Sequence, residues 1–143
     1  MNTNYRVESA DDTNRLIEFL EDKLYEYNSS VIKEYDGQLF SRIVRNEDGT
    51  IVAGIAGWTW AGVCEITQLW VDEKKRNKDL GTLLLNAAED EAAARGCLRL
   101  LIKTYSFQAL DFYLKRGFQI EHIIVDFPVG YNYCIMSKRL VVR

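Results

Sequence analysis

The sequence predicts an α/β (α+β) fold with a mixed, mostly antiparallel sheet, and three local patterns predict it. The Asp48-Gly49 step separates two apolar runs, which is typical of a β-hairpin. A strand, a helix ending near Gly96 and another strand follow in order, which implies a parallel pair with a right-handed crossover. Two final runs flank the chain's only proline, Pro128, and predict a closing hairpin. At 143 residues, we expect a single domain covering residues 1–143.

Hydrophobic spacing and turn residues predict the individual elements. A short strand is expected at residues 5–8, before a helix capped by Asp11 or Asp12 in which an apolar residue recurs every four positions (Leu16, Leu20, Leu24, with Ile17 beside them). Three strands are then expected at residues 38–45, 51–60 and 63–71. The second helix has the apolar stripe Leu83, Leu84, Ala87, Ala88 and Ala92, and Gly96 stops it. The remaining elements are a strand at 98–103, a helix from about residue 107 to 115, and strands at 118–125 and 133–140.

Composition excludes several classes of function. A net charge of −3 and a pI near 5.2 argue against a nucleic-acid partner. The longest uncharged run, residues 51–64, is too short to span a membrane, and the first residues lack the pattern of a secretory signal. Three widely spaced cysteines and one histidine make a metal site or a disulfide framework improbable. We therefore expect a cytoplasmic protein without a metal or a membrane partner.

A basic turn joins the predicted third strand to the second helix. It contains Lys74, Lys75, Arg76 and Lys78, and it leads into a helix start, where backbone N–H groups and the helix dipole attract anions. The turn is therefore a candidate phosphate site. The alternative, a solvated turn whose lysines contribute only solubility, is equally compatible with the charge pattern.

Two motifs resemble those of the GNAT superfamily of acetyl-CoA-dependent N-acetyltransferases, and the resemblance covers almost the whole chain. The first is Gln or Arg, two residues, Gly, one residue, then Gly or Ala; here it reads Arg76-Asn77-Lys78-Asp79-Leu80-Gly81. The second is an Ala before a Tyr with Gly-Phe after it, matched by Ala109, Tyr113, Gly117 and Phe118. The resemblance implies a GNAT fold of six to seven strands and about three to four helices.

The resemblance also implies where acetyl-CoA binds. The pantetheine arm is expected on the main chain of Leu69, Trp70 and Val71. The pyrophosphate is expected on the turn and helix start, formed by Arg76, Asn77, Lys78, Asp79, Leu80, Gly81 and Thr82. Ser106 stands where many relatives have an asparagine that contacts the cofactor, although it would serve equally well as a helix N-cap.

Two residues are the candidate catalytic groups. Tyr113 matches the family's general acid, which protonates the sulfur of CoA; from periodicity alone it would be a core tyrosine. Glu65 interrupts an uncharged strand where some lysine-acetylating relatives have a catalytic glutamate, so it is the candidate base. The alternative for Glu65 is a strand-edge residue that faces solvent.

Asp79 departs from the family pattern, because it occupies the place of the first glycine. Its carboxylate has the same sign of charge as the ligand, and as an N-cap it would compete for a backbone amide, so we expect weakened or reshaped CoA binding. The expected acceptor is a primary amine of a small molecule or a protein, with Trp58, Trp60, Tyr25, Tyr27 and Tyr131 as candidate pocket linings. Homodimers through the last strands are common among small relatives. The alternative function is a non-catalytic CoA-binding regulatory or interaction module.

Overall fold

The structure is a computed structural model that describes residues 4–141. It divides the chain into two compact units, Met1–Tyr35 and Asp36–Arg143. The expectation of one domain over the whole chain therefore stays a prediction, and each unit is described by itself.

The first unit contains one long helix, α1 (Thr13–Ile32). Asp12 is its N-cap, as expected, because the carboxylate accepts a hydrogen bond from the Arg15 N–H at 3.2 Å. The strand predicted at residues 5–8 is wrong, since these residues have no strand conformation. A run of four residues forms a strand only beside a paired neighbour, and no described backbone group pairs with it.

Within residues 36–141, the second unit contains a six-stranded sheet and two α-helices. Its elements are β1 (Gln38–Arg45), β2 (Ile51–Trp60), β3 (Val63–Val71), a 3₁₀ turn (Glu73–Lys75), α2 (Leu80–Ala94), β4 (Arg99–Tyr105), α3 (Leu110–Lys115), β5 (Gln119–Val125) and β6 (Asn132–Arg139). The first three strands match the predicted bounds residue for residue. The last helix starts three residues later than predicted, at Leu110 rather than 107.

The strands lie in the order β1-β2-β3-β4-β6-β5. All neighbouring pairs are antiparallel except β3 and β4, which are parallel and are connected through α2. This arrangement confirms the predicted mixed, mostly antiparallel sheet with one crossover and a hairpin at each end of the second unit.

A fork opens between the two parallel strands. Their pairing runs from Val63 with Arg99 to Ile66 with Ile102, although β3 continues to Val71 and β4 continues to Tyr105. The register of β3 against β2 shifts at the same point, so that Thr67 is an extra residue in its strand. Because a bulge of this kind bends the strand that contains it, β3 turns away from β4 beyond Ile66.

The core lies between one face of the sheet and helix α2. The helix buries Leu84, Leu85, Ala88 and Ala92 against alternate residues of the strands, among them Ile55, Ile66, Leu100 and Met136. The predicted stripe is wrong at one position, because Leu83 is exposed and Leu85 is buried in its place. Residues that alternate with the core positions, such as Glu65 and Leu101, therefore lie on the opposite face of the sheet.

Candidate active site

Backbone amides without partners line the turn before α2 and the first turn of that helix. None of the six N–H groups of residues 77–82 donates to an acceptor within residues 4–141. Asn77 and Asp79 have positive φ angles, 65° and 59°, and alternate with residues of negative φ. Successive amides in such an alternation converge on one point and form an anion-binding nest. The turn thus has the geometry expected of a phosphate site.

Asp79 precedes the first residue of α2, but it does not cap the helix with its side chain. A capping side chain needs an extended backbone, whereas Asp79 is left-handed and makes no cap hydrogen bond. The expectation that its carboxylate occupies a helix amide is therefore wrong. The left-handed conformation also gives a physical reason why glycine suits this position, because glycine adopts it at no steric cost, whereas aspartate and asparagine adopt it at a small cost.

Helix α3 is held to the start of α2 by Arg116. Its guanidinium donates to Thr82 Oγ1 through Nε at 3.1 Å and through Nη2, and to the Phe112 carbonyl at 3.0 Å. It also lies 3.7 Å from the centroid of the Phe112 ring. A Cβ atom added at Gly81 would be 3.3 Å from that ring, so glycine allows Phe112 to approach the helix. Sequence reasoning missed Arg116, because a basic residue after a helix is ordinarily explained by the helix dipole.

The other expected cofactor residues lie around the fork and the turn. Leu69 and Val71 pack against the core, whereas Trp70 is exposed. Asp72 caps the 3₁₀ turn by accepting from the Lys74 N–H at 2.8 Å. Arg76 and Lys78 have exposed side chains, and Arg76 Nε is 3.5 Å from the Val71 carbonyl oxygen. The polar main chain of β3 thus leads directly from the fork into the row of free amides.

Ser106 is not a helix N-cap, since α3 begins four residues later. Its hydroxyl instead accepts a hydrogen bond from the Asn132 N–H at 3.0 Å, and its own N–H donates to the Asn132 carbonyl at 2.8 Å. Ser106 therefore connects the end of β4 to the start of β6. The hydroxyl proton remains available for a ligand, because the hydroxyl acts only as an acceptor in this contact.

Tyr113 is buried on the α2 side of the sheet. Its ring makes edge contacts with Phe112 and Phe118, with centroids 5.1 and 5.5 Å away. Burial raises the pKa of the Tyr113 phenol to about 12. Within residues 4–141 the hydroxyl has no hydrogen-bond partner. A protonated donor without a protein acceptor is thus present in α3, the helix that Arg116 holds to the start of α2.

Glu65 lies on the opposite face of the sheet, in a strand that has neighbours on both sides. The expectation of a strand-edge residue facing solvent is wrong, because β3 lies between β2 and β4 and the side chain is only 16% exposed. Its carboxylate is 3.3 Å from Lys103 Nζ on the neighbouring strand. Glu65 and Trp58 also line a cavity of about 270 Å³ on this face. The candidate base on β3 therefore lies on the face of the sheet opposite to the α2 side, where the candidate acid of helix α3 is buried.

The five candidate linings of an acceptor pocket are distributed over both units. Tyr25 and Tyr27 lie in α1 of the first unit. Trp58 and Trp60 lie on β2, and Tyr131 precedes β6 in a cluster of aromatic rings. Of these residues, only Trp58 lines the cavity that contains Glu65.

Other site types find no support in the described chain. Cys64, Cys97 and Cys134 are buried free thiols, and burial raises the pKa of Cys64 to about 12. Residues 4–141 contain no group of three or more metal-ligating side chains placed to hold an ion. None of the described helices is long and apolar enough to cross a bilayer.

Comparisons with known proteins agree with this geometry. The model of the acetyltransferase (GNAT) family matches residues 5–118. The chain is 33% identical over 120 residues to an acetyltransferase of Agrobacterium fabrum, covering 84% of this chain and 88% of that protein. It is 30% identical to a blasticidin-S acetyltransferase of Streptomyces morookaense, covering 72% and 76% of the two chains.

A solved structure shows the same architecture. The crystal structure of an acetyltransferase from Bacillus cereus superimposes with a TM-score of 0.80 at 31% identity, covering 95% of this chain and 98% of that one. The family match, the relatives and the fold lead to one conclusion: the chain belongs to the GNAT family and is an acetyltransferase.

Proposed function

We propose that this enzyme transfers an acetyl group from acetyl-CoA to a primary amine. The observation that carries the proposal is the row of six free amides at residues 77–82, at the end of the strand that borders the fork. An extended ligand can lie along the unpaired part of β3 and place a charged group on those amides. Acetyl-CoA has this form, because a narrow amide-bearing arm separates its thioester from a pyrophosphate.

The residues around the fork fit that ligand from one end to the other. The main chain of Leu69, Trp70 and Val71 would pair with the pantetheine arm. The amides of Asn77, Lys78, Asp79, Leu80, Gly81 and Thr82 would receive the pyrophosphate, with Arg76 and Lys78 supplying positive charge. Thr82 would donate its hydroxyl proton to the phosphate, since Arg116 uses only the oxygen as an acceptor. Ser106 would contact the cofactor from the end of β4.

The transfer would proceed by direct attack of a neutral amine on the thioester carbon. Glu65 would accept the amine proton as the C–N bond forms, and the C–S bond would break as the tetrahedral intermediate collapses. Tyr113 would donate a hydrogen bond to the departing sulfur. Because its pKa of about 12 lies above the value of about 8.5 typical of a thiol, the phenol would chiefly stabilise the thiolate by hydrogen bonding. The products are an amide and the CoA thiolate, which then takes up a proton from solvent to give the free thiol.

We propose that the acceptor is the amine of a small molecule, in preference to an amine of a protein. This preference is supported by one relative, which is named for its action on blasticidin S and covers 72% of this chain. The cavity beside Glu65, about 270 Å³, lies just below the range of about 300–1,000 Å³ typical of small-molecule pockets, so it would admit the reacting end of a small amine. A panel of small amines and of peptides with free amino groups separates the two classes.

Thiol release from acetyl-CoA tests the proposal. We expect release to depend on an added amine and to fall by about 10²-fold or more in Tyr113→Phe, while the dissociation constant of acetyl-CoA is unchanged. The matched control is Tyr35→Phe, which removes a hydroxyl from an exposed tyrosine. Acetyl-CoA binding without amine-dependent release would favour a CoA-binding module that does not catalyse transfer. Absence of binding would overturn both functions.

Two further properties are part of the proposal. We infer a homodimer, since β5 is an outer strand of the sheet and has exposed Ile120, Ile123 and Val125 side chains. Sedimentation of the wild type and of Ile123→Lys measures the oligomeric state, and a monomeric wild type would contradict the homodimer.

We also infer a cytoplasmic location, which the three free cysteines support because reduced thiols persist there. Cell fractionation tests this inference.

A further inference from the structure

A continuous cluster of five aromatic rings lies where β4 ends and β6 begins. We call it the aromatic platform; its members are Tyr105, Phe107, Phe127, Tyr131 and Tyr133. The Tyr105 and Phe107 rings stack in parallel with centroids 5.3 Å apart. Tyr133 lies 4.8 Å from Tyr105 and 5.2 Å from Phe127, and Tyr131 meets Phe107 edge-on at 5.0 Å.

Hydrogen bonds fix the backbone that supports these rings. The Tyr105 N–H donates to the Gln108 side chain at 2.9 Å, and Ser106 exchanges two hydrogen bonds with Asn132. On the other side of the platform, the Phe127 N–H donates to the Tyr131 carbonyl at 3.0 Å. The rings are therefore held in place before a ligand arrives, which lowers the entropic cost of binding.

The platform is close to the fork and on the face where Glu65 lies. Tyr105 and Lys103 are alternate residues of β4, so both project from the same face about 7 Å apart. Lys103 in turn contacts Glu65, the proposed base. A molecule packed at the Tyr105 end of the platform therefore lies on the same face as Glu65, one alternate position beyond its ion-pair partner Lys103.

The platform is also strongly exposed to solvent, although it consists of aromatic side chains, which are more often buried. Phe107, Phe127 and Tyr131 are 57%, 50% and 51% exposed. Contiguous apolar surface of this kind marks a binding site more often than scattered hydrophobic residues do. Ring faces additionally attract cations, which suits a ligand that arrives as an ammonium ion.

We propose that the aromatic platform binds the acceptor and selects primary amines that contain an aromatic ring. This inference rests on the proposed acetyl transfer and names its substrate class. The ring of the acceptor packs against the Tyr105–Phe107 stack at its Tyr105 end, and its alkyl arm points along the sheet toward Lys103 and Glu65. A second copy of the chain is the competing occupant of the surface; the continuity of the platform with the Glu65 face favours the acceptor.

Matched amines and matched variants test the platform. The probes are 2-phenylethylamine and 2-cyclohexylethylamine, which have the same carbon skeleton but differ in their π face; each KM is expressed as the concentration of neutral amine, because the phenyl compound is the weaker base. We expect the KM for 2-phenylethylamine to be about two- to tenfold lower than that for 2-cyclohexylethylamine, because pairs of aromatic rings contribute binding free energy beyond that of burial alone. Phe107→Leu should abolish this difference and Phe107→Tyr should retain it, while the KM for acetyl-CoA is unchanged in both variants.

Three results would overturn the inference. The first is an equal KM for the two amines in the wild type. The second is a preference that Phe107→Leu leaves intact. The third is a change of oligomeric state in Phe107→Leu without a change in amine KM, which would assign the surface to a second copy.

Failure of the proposed function is recognised separately. If no amine supports thiol release, binding of 2-phenylethylamine is measured by saturation-transfer NMR on the full chain mixed with CoA. Transfer to the phenyl protons that is lost in Phe107→Leu and kept in Phe107→Tyr supports the platform. No transfer in the wild type overturns it.

Discussion

Lys103 Nζ lies 3.3 Å from the carboxylate of Glu65, and the pair joins two parallel strands where they begin to separate. Glu65 precedes Ile66, the last residue of β3 that pairs with β4, and Lys103 follows Ile102, its partner. The same carboxylate thus has two possible roles. It can hold β3 and β4 together at the point where they begin to separate, or it can accept the proton of the acceptor amine.

Substitution of each partner separates these roles. Glu65→Gln and Lys103→Met both remove the ion pair, but only the first removes a base. If Glu65 is the base, we expect kcat to fall by about 10²-fold in Glu65→Gln and much less in Lys103→Met. Rates measured from pH 6 to 9 check this expectation. Equal losses in the two variants would assign Glu65 a structural role, and full activity of Glu65→Gln at every pH would exclude it as the base.

Replacement of Asp79 should tighten acetyl-CoA binding. The residue has φ of 59° among the free amides, so its carboxylate adds negative charge where a pyrophosphate is expected. Removal of one like charge at short range in water is worth about fivefold in affinity. We expect Asp79→Gly to lower the dissociation constant by this factor in calorimetry. Asp79→Asn is the matched control, since asparagine tolerates the left-handed backbone but has no charge.

The two variants give different outcomes for charge and for backbone. Equal tightening in both assigns the effect to charge. Tightening in Asp79→Gly alone assigns it to relief of the left-handed strain. Unchanged or weaker binding in both would show that Asp79 does not oppose the cofactor.

Loss of Arg116 should weaken both the fold and the cofactor site. Its guanidinium donates to Thr82 and to the Phe112 carbonyl and stacks on the Phe112 ring. We expect Arg116→Met to lower the free energy of unfolding by about 1–3 kcal/mol and to raise the KM for acetyl-CoA. Urea unfolding and initial rates measure the two effects. The neighbouring exposed Lys115→Met serves as the control, and equal behaviour of both variants would contradict the role of Arg116.

Alkaline pH should destabilise the enzyme. Burial raises the pKa of Tyr113 from 10.0 to about 12 and that of Cys64 from 9.0 to about 12. Above pH 9 the unfolded chain releases protons that the folded chain retains, so the free energy of unfolding falls as pH rises toward 12. The loss begins as pH approaches 9.0, where the unfolded thiol is half ionised, and it is negligible below about pH 8. Urea unfolding at pH 8, 9 and 10.5 measures the slope, which should be shallower in Cys64→Ala; an unchanged slope would contradict burial of that thiol.

Much of the fold follows from the sequence because its turns are explicit. The Asp48-Gly49 step fixes β1 and β2 to the residue, and Gly96 marks the end of α2. The start of α3 was misplaced because the Gln108 side chain accepts from the Tyr105 N–H, which holds the chain in a turn through residue 109. Such a contact between a side chain and a neighbouring strand leaves no periodic signal.

The candidate site is less visible in the sequence. The motif at residues 76–81 predicts the anion-binding turn, and Tyr113 is found from its spacing to Gly117-Phe118. Arg116 and Lys103 were not predicted, because their roles depend on partners 34 and 38 positions away along the chain, Thr82 and Glu65. Pairs of this kind are set by how α3 and β4 pack, and no local pattern encodes them.

The separation of β3 from β4 gives the sheet an inner edge in addition to its outer strands. Backbone groups of residues 67–71 that face β4 have no partner strand there, in the middle of the sheet rather than at its border. An inner edge that lies between two strands of its own sheet leaves less room for another protein's strand than an outer edge does, so it is a smaller aggregation hazard. The bound cofactor would then act as a missing strand, and the enzyme's sheet would be complete only while it holds its substrate.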